Sequence, residues 1–251
     1  MQSDKIRISA VSFLNTLPFR YGLNHSEDIQ NMARIEYDIP SVCASRLLSS
    51  DVDIGLVPVA ALKEMSNYHI ISDYCIGAQD QVDSVYLFGD VPVEKMQKIM
   101  LDYRSRTSAG LTRILASEYW KIEPEWIKAE KGYESSISGN TGGLIIGDKA
   151  LEMADRFSCR YDLATEWFRH TGKEFVFAAW VSRKPLPEYF IETFNRALSN
   201  GLSHIDEALA ELGRKYKHLP ARHYLTKSID FSLTESKLQS LNLYLKKLES
   251  V

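Results

Sequence analysis

The chain has 251 residues, 45% of them hydrophobic, enough material for one large domain or two moderate ones. Its 30 Lys+Arg stand against 33 Asp+Glu, a formal net charge of −3 without any run of like charge, which excludes a strong pull toward nucleic acid or an anionic membrane. No apolar run approaches the ~18 residues that a bilayer span needs. Cys43, Cys75 and Cys159 stand too far apart for a disulfide framework or a zinc site, and small buried thiols in a reducing compartment are expected.

The opening Met1-Gln2-Ser3-Asp4-Lys5 runs straight into an alternating stretch, Ile6-Arg7-Ile8-Ser9-Ala10-Val11, with the period of a strand. It lacks the basic segment, apolar stretch and small-residue cleavage site of an export signal, so a cytoplasmic location is expected. The loop Ser12-Phe13-Leu14-Asn15-Thr16-Leu17-Pro18 then leads into a helix near Phe19-Arg20-Tyr21-Gly22-Leu23. Thr16 is expected to cap that helix and Pro18 to preset its first turn. Asn15 has two open readings: a side-chain amide offered to a ligand at the carboxyl end of a strand, where α/β sheets bind, or a turn residue bonded to its own backbone.

The next segments alternate: a strand over 34–39, a helix opened by Pro40 and Ser41, a buried strand over 52–59, and a short helix over 60–65. This predicts a parallel sheet with helices on its faces. Strand-like runs follow at 69–72, 73–78 and 84–89, and a second series begins with a strand over 98–102. The turn Ser105-Arg106-Thr107-Ser108 precedes an amphipathic helix expected over 111–120. An apolar strand ending at Gly147-Asp148 repeats the pattern, and Phe175-Val176-Phe177-Ala178-Ala179-Trp180-Val181 is another strand. From Pro187 onward the period is helical and is expected to close a lobe.

Two series of this kind predict an α/β chain of two lobes with a ligand cleft between them. Lobe 1 is expected from residues 1–90 plus 182–251 and lobe 2 from 91–181, with crossings near 84–92 and 174–183. Asn15, Ser41, Val59 and Ser84 are then expected on one side of the cleft, and Ser105, Arg106, Thr107, Ser108, Gly147 and Asp148 on the other. Helix amino-termini there suit a small dicarboxylate, with Arg104 or Arg106 able to form a bidentate bond. The bland alternative is that Ser105–Ser108 merely caps a helix.

Several blocks resemble the chorismate dehydratase family of menaquinone biosynthesis by the futalosine route. They are Val11-Ser12-Phe13-Leu14-Asn15-Thr16-Leu17-Pro18, Asp53-Ile54-Gly55-Leu56-Val57-Pro58-Val59-Ala60, Ser84-Val85-Tyr86-Leu87-Phe88, and Ser105-Arg106-Thr107-Ser108. The likeness continues through Leu144-Ile145-Ile146-Gly147-Asp148-Lys149-Ala150-Leu151, Tyr161-Asp162-Leu163-Ala164-Thr165-Glu166-Trp167 and the run from Phe175 to Val181. The resemblance implies a type 2 periplasmic-binding-protein fold used as a cytosolic, carbon–oxygen lyase. Its reaction eliminates water from chorismate to give 3-[(1-carboxyvinyl)oxy]benzoate. It places the active-site amide and hydroxyl on Asn15 and Ser84, while Phe13 stands where many members carry Tyr.

His25, His69, His170, His204, His218 and His223 all fall outside these blocks. The proton acceptor is therefore left between the substrate's own enolpyruvyl carboxylate and Asp148, itself expected to cap a helix. No metal, dinucleotide or phosphate-loop motif appears, so no metal and no cofactor is expected. The competing readings are a small-carboxylate binding protein of the same fold, cytosolic or exported, and the naphthoate synthase of the same pathway.

Overall fold

The computed structural model describes residues 5–251; residues 1–4, where the absence of an export signal was read, lie outside it. Its strands are β1 (Ile6–Val11), β2 (Ala33–Asp38), β3 (Ile54–Pro58), β4 (His69–Ala78), β5 (Val85–Gly89), β6 (Lys98–Leu101), β7 (Glu125–Lys128), β8 (Thr141–Ile146), β9 (Cys159–Asp162), β10 (Phe175–Ser182) and β11 (Asp230–Ser232). They form two sheets, in the orders β11-β4-β10-β3-β1-β2 and β7-β6-β8-β5-β9. The chain divides into two compact units, residues Met1–Ile76 with Phe177–Thr234, and Gly77–Val176 with Glu235–Val251.

The first unit carries the first sheet. β1 runs parallel to β2, with Val11 opposite Asp38, and parallel to β3, with Ile8 opposite Ile54. The three strands therefore end on one edge, and the segments holding Asn15, Ser41 and Val59 all leave from it. The sheet is mixed and not wholly parallel, because β10 runs antiparallel to β3, with Ala178 opposite Pro58. Phe19, on the helix Leu17–Asn24, stacks edge-on against Phe231 at 5.2 Å, and Trp180 meets Phe194 at 5.0 Å. These rings, all buried, fill the core between the sheet and the helix Glu188–Ser203.

In the second unit β6 is parallel to both β7 and β8, while β5 lies antiparallel between β8 and β9. Its core gathers Tyr86, Phe88, Tyr133, Ile137, Ile145 and Met153. The expected lobe boundaries shift here. Residues 77–90 join the second unit because Val85–Phe88 pair with β8 and Tyr86–Gly89 with β9.

The final helix, Glu235–Lys247, also belongs to this unit and not to the first. Tyr244 packs edge-on against Phe175 at 5.2 Å and donates its hydroxyl to the Thr107 carbonyl at 3.0 Å. Ser240 accepts the indole N–H of Trp167 at 3.0 Å. The helical period of 235–247 showed that one face would be buried, but not against which sheet.

Local differences have local causes. Segments 69–72 and 73–78 are one continuous strand, and the short strands β7, β9 and β11 carry too few residues to show a period. The amphipathic helix starts at Arg106 and ends at Leu115, and 116–120 widens into a π turn closed by Lys121 in the left-handed region. Cys43 and Cys75 are buried free thiols as expected, whereas Cys159 is half-buried on β9. Among the described residues no helix is long and apolar enough to cross a membrane.

Candidate functional site

In the first unit, the loop after β1 turns at once into a short 3-10 helix, Leu14–Thr16. Thr16 does not cap the following helix with its side chain. Its hydroxyl sits 2.6 Å from the Val11 carbonyl and 2.8 Å from that of Phe13, closing the loop on itself. The Ser12 amide donates to the Asp38 carbonyl at 3.0 Å, tying this loop to the end of β2. Asn15 is half-buried, and its Oδ1 is fully buried without a hydrogen-bond partner in the protein. That oxygen is therefore not bonded to the backbone of its own turn. Leaving such an acceptor unmet costs about 1–3 kcal/mol, an expense a fold tolerates where a ligand completes the bond.

Ser41 lies in the first turn of the helix Pro40–Leu48, whose N-cap residue, Ile39, makes no side-chain bond to it. The Val42 and Cys43 amides donate instead to the Ile39 carbonyl, at 3.0 and 3.1 Å. Below it Asp38 accepts from the buried Ser9 hydroxyl and from Arg46, each at 2.7 Å, and Arg46 also reaches Glu36 at 2.7 Å. This network holds the strand end that launches the helix. Val59 is fully buried, so its side chain belongs to the core. Arg20 lies over the Tyr37 ring at 4.6 Å, and its buried Nε has no partner.

In the second unit, Ser84 precedes β5 and is buried. It stands beside Gly147, whose amide donates to the Ser84 carbonyl at 2.7 Å. Ser84 thus belongs with Gly147 and Asp148 in this unit, not with Asn15, Ser41 and Val59 as the sequence suggested, because antiparallel pairing returns the start of β5 to the end of β8. Gly147 itself, with φ of 66°, is the N-cap position of the helix Asp148–Glu152. Asp148 is the first helical residue, so it is not the cap it was expected to be.

The loop after β6 brings Ser105, Arg106, Thr107 and Ser108 to the same edge, since β6 and β8 are parallel. Ser105 caps the helix by accepting the Ser108 amide at 3.1 Å, and its hydroxyl donates to Ser108 Oγ at 3.0 Å. The capping reading therefore holds for Ser105. Thr107 and Ser108 are buried, while Arg106 is exposed.

Arg104 is committed to the protein. Its Nε reaches both Asp102 oxygens, at 2.9 and 3.2 Å, and its Nη2 reaches Oδ2 at 2.5 Å. Asp102 also accepts from the Tyr133 hydroxyl at 3.0 Å. The adjacent carboxylate holds the guanidinium charged, and burial beside it pushes the Tyr133 phenol well up. This buried triad was not singled out in the sequence, because Tyr133 lies 31 residues from Asp102.

Asp162 was also missed as an individual residue. It caps the helix Leu163–Thr171 through Oδ1, which accepts from the amides of Ala164 at 3.0 Å and Thr165 at 3.2 Å. Its Oδ2 accepts from the amides of Val82 at 3.1 Å and Asp83 at 2.8 Å. An Asp at a strand-to-helix junction is a visible cap signal; the second pair of donors is not visible.

Burial raises the Asp162 carboxyl from 3.8 to about 7, against four amide bonds that pull the other way. Between these values the folded chain holds a proton that the unfolded chain has released, so this group's contribution to stability falls as pH rises from about 4 to 7. Asp162→Asn has no such proton. Thermal melts are therefore expected to show the wild-type Tm falling relative to that of D162N between pH 5 and pH 8. A constant difference across that range would contradict the assignment.

Among the described residues no group of three or more His, Cys, Asp or Glu is placed to hold a metal ion. Beside the charged Arg106 and Asp148, the residues at these edges offer an amide, hydroxyls and helix N–H groups, donors suited to anionic oxygens.

A family model described as menaquinone biosynthesis matches residues 6–250. The chain belongs to this menaquinone biosynthesis family. The chorismate dehydratase of Thermus thermophilus is 29% identical over 214 residues, covering 76% of this chain and 78% of that protein. Among solved structures, a structural-genomics protein of Archaeoglobus fulgidus is 14% identical, with TM-score 0.75 over 100% of this chain and 97% of the other. A Candida albicans protein with the generic periplasmic-binding-protein fold is 13% identical, with TM-score 0.68 over 99% and 91%. The periplasmic aliphatic sulphonate binding protein of Escherichia coli is 14% identical, with TM-score 0.59 over 97% and 93%. The family member described here accordingly has the periplasmic-binding-protein fold, an α/β architecture of two sheets.

Proposed function

We propose that this member of the menaquinone biosynthesis family is a cytoplasmic chorismate dehydratase. The observation that carries the reading is the 29% identity to the Thermus thermophilus enzyme over three quarters of the chain. The unmet Asn15 oxygen at the carboxyl edge of the first sheet, which can accept from the ring hydroxyl of chorismate, supports it.

The reaction needs little beyond hydrogen bonds. The C–O bond to the ring hydroxyl breaks, the C–H bond on the neighbouring ring carbon breaks, and water leaves without any change of overall oxidation level. The ring carboxylate acidifies that hydrogen through the diene, and aromatisation makes the step downhill. What remains is to stabilise charge on the ring carboxylate, donate to the departing hydroxyl, and accept the proton.

In this reading Asn15 and Ser84 orient the substrate and bond its departing or ring oxygens. Ser41, the Val59 main chain, Arg106, Thr107, Ser108 and the Gly147–Asp148 turn hold its two carboxylates, with Ser105 supporting that turn as its cap. The enolpyruvyl carboxylate of the substrate takes the proton.

Mixing purified protein with chorismate is expected to yield 3-[(1-carboxyvinyl)oxy]benzoate, identified by chromatography and mass, at a rate unchanged by exhaustive chelation. Saturable binding of chorismate without any change in its ultraviolet spectrum would overturn the enzyme reading in favour of a small-carboxylate binding protein.

A further inference from the structure

The segment that delivers Ser84 is held from one side by a single carboxylate. Asp83 adopts φ of 60°, a left-handed conformation uncommon for any residue but glycine and tolerated best by Asp and Asn. Two amides, of Val82 and Asp83, point at Asp162 Oδ2. The Asp83 side chain accepts from the Tyr86 hydroxyl at 2.9 Å and from the Gln81 amide. One residue later the Ser84 carbonyl accepts from Gly147. Ser84 is therefore clamped between an anchored amide just before it and an anchored carbonyl of its own.

We propose that Asp162 is a positioning residue for Ser84, one carboxylate whose first oxygen caps a helix and whose second holds the loop in the left-handed turn that sets the Ser84 hydroxyl. The proposal rests on the reading of Ser84 as part of the active site. Its physical basis is that the two oxygens perform separable tasks. An aspartate can accept all four amides, whereas an asparagine can accept only with its one carbonyl oxygen and presents an NH2 group to the remaining pair. Neutral capping is enough for the helix, but the loop pair would then meet donors with donors.

The test, run at pH 8 where the Asp162 carboxyl is ionised, compares wild type, Asp162→Asn and Asp83→Pro. D162N is expected to keep the helix cap and the secondary structure while lowering kcat for chorismate by roughly 10–100-fold, with KM within about threefold, as a small misplacement of a reacting group does. Hydrogen exchange is expected to quicken at Val82 and Asp83 and to stay slow at Ala164 and Thr165. D83P removes the Asp83 amide and forbids the left-handed φ without touching the cap, so the same fall in kcat is expected; it carries the decision should D162N fail to fold.

Undisturbed exchange at Val82 and Asp83 in D162N overturns the proposal, and so does a kcat within about threefold of wild type. Should wild type leave chorismate unchanged, the function reading is what fails. The exchange comparison then decides the role of Asp162 alone: quickened exchange confined to the loop pair supports it, and unchanged exchange removes it.

Discussion

Ser84→Ala is expected to lower kcat for chorismate dehydration by about 10²–10³-fold, the usual loss when one donor to developing charge is removed from a preorganised site. The substitution deletes one oxygen from a buried residue whose main chain is anchored by Gly147, so the turn should survive and the loss should report on chemistry. Asn15→Ala is its counterpart in the first unit, with a similar loss but a different stability signature. Because the Asn15 oxygen is buried without a partner, truncation removes an unmet acceptor along with a catalytic amide. The expected outcome is a Tm no lower than wild type beside the loss of turnover, measured by melts and steady-state kinetics on one preparation. A lowered Tm with turnover intact would mean that Asn15 serves only its loop.

Gly201→Ala is expected to destabilise the first unit by about 3 kcal/mol, on the order of 6–12 °C in Tm. A Cβ built on Gly201 would lie 1.8 Å from the Pro18 carbonyl oxygen and 2.8 Å from the Gly22 amide; one on Gly22 would lie 2.0 Å from the Ala197 carbonyl oxygen. The helices Leu17–Asn24 and Glu188–Ser203 thus meet backbone to backbone, and neither side can yield by turning a side chain. The first of these helices continues directly from the loop bearing Asn15, so the displacement should also lower kcat in the surviving folded protein. Gly213→Ala is the useful contrast: the three atoms nearest its Cβ would all belong to Leu209 of the preceding turn, the carbonyl oxygen at 2.4 Å. The loss there should therefore stay local and leave turnover unchanged.

Much of the architecture is legible in the residues because it depends on local patterns. The alternation of Ile6–Val11 sets a strand whichever partner it finds, and the Pro-Ser opening at Pro40 and Ser41 starts a helix on local grounds. The resemblance of the blocks around Asn15 and Ser84 to one family likewise needs no coordinates. The side of the molecule to which Ser84 belongs is a different kind of fact, because it turns on whether β5 pairs with β3 or with β8. A continuous apolar run such as Val85-Tyr86-Leu87-Phe88, buried at every position, satisfies either sheet equally well.

The amino-acid sequence by itself determined that the chain forms α/β units of a known family, with helices and strands where local period and capping residues require them. Only the tertiary structure decided that the last helix closes the second unit, that Tyr133 joins Asp102, and that Asp162 serves two segments at once. The physical reason is that such assignments rest on hydrogen bonds and packing between residues 31 to 137 positions apart, as in Tyr133 with Asp102 and Tyr244 with Thr107. No local propensity encodes those distances. They follow from which buried donors and apolar faces remain to be satisfied once the neighbouring elements are in place.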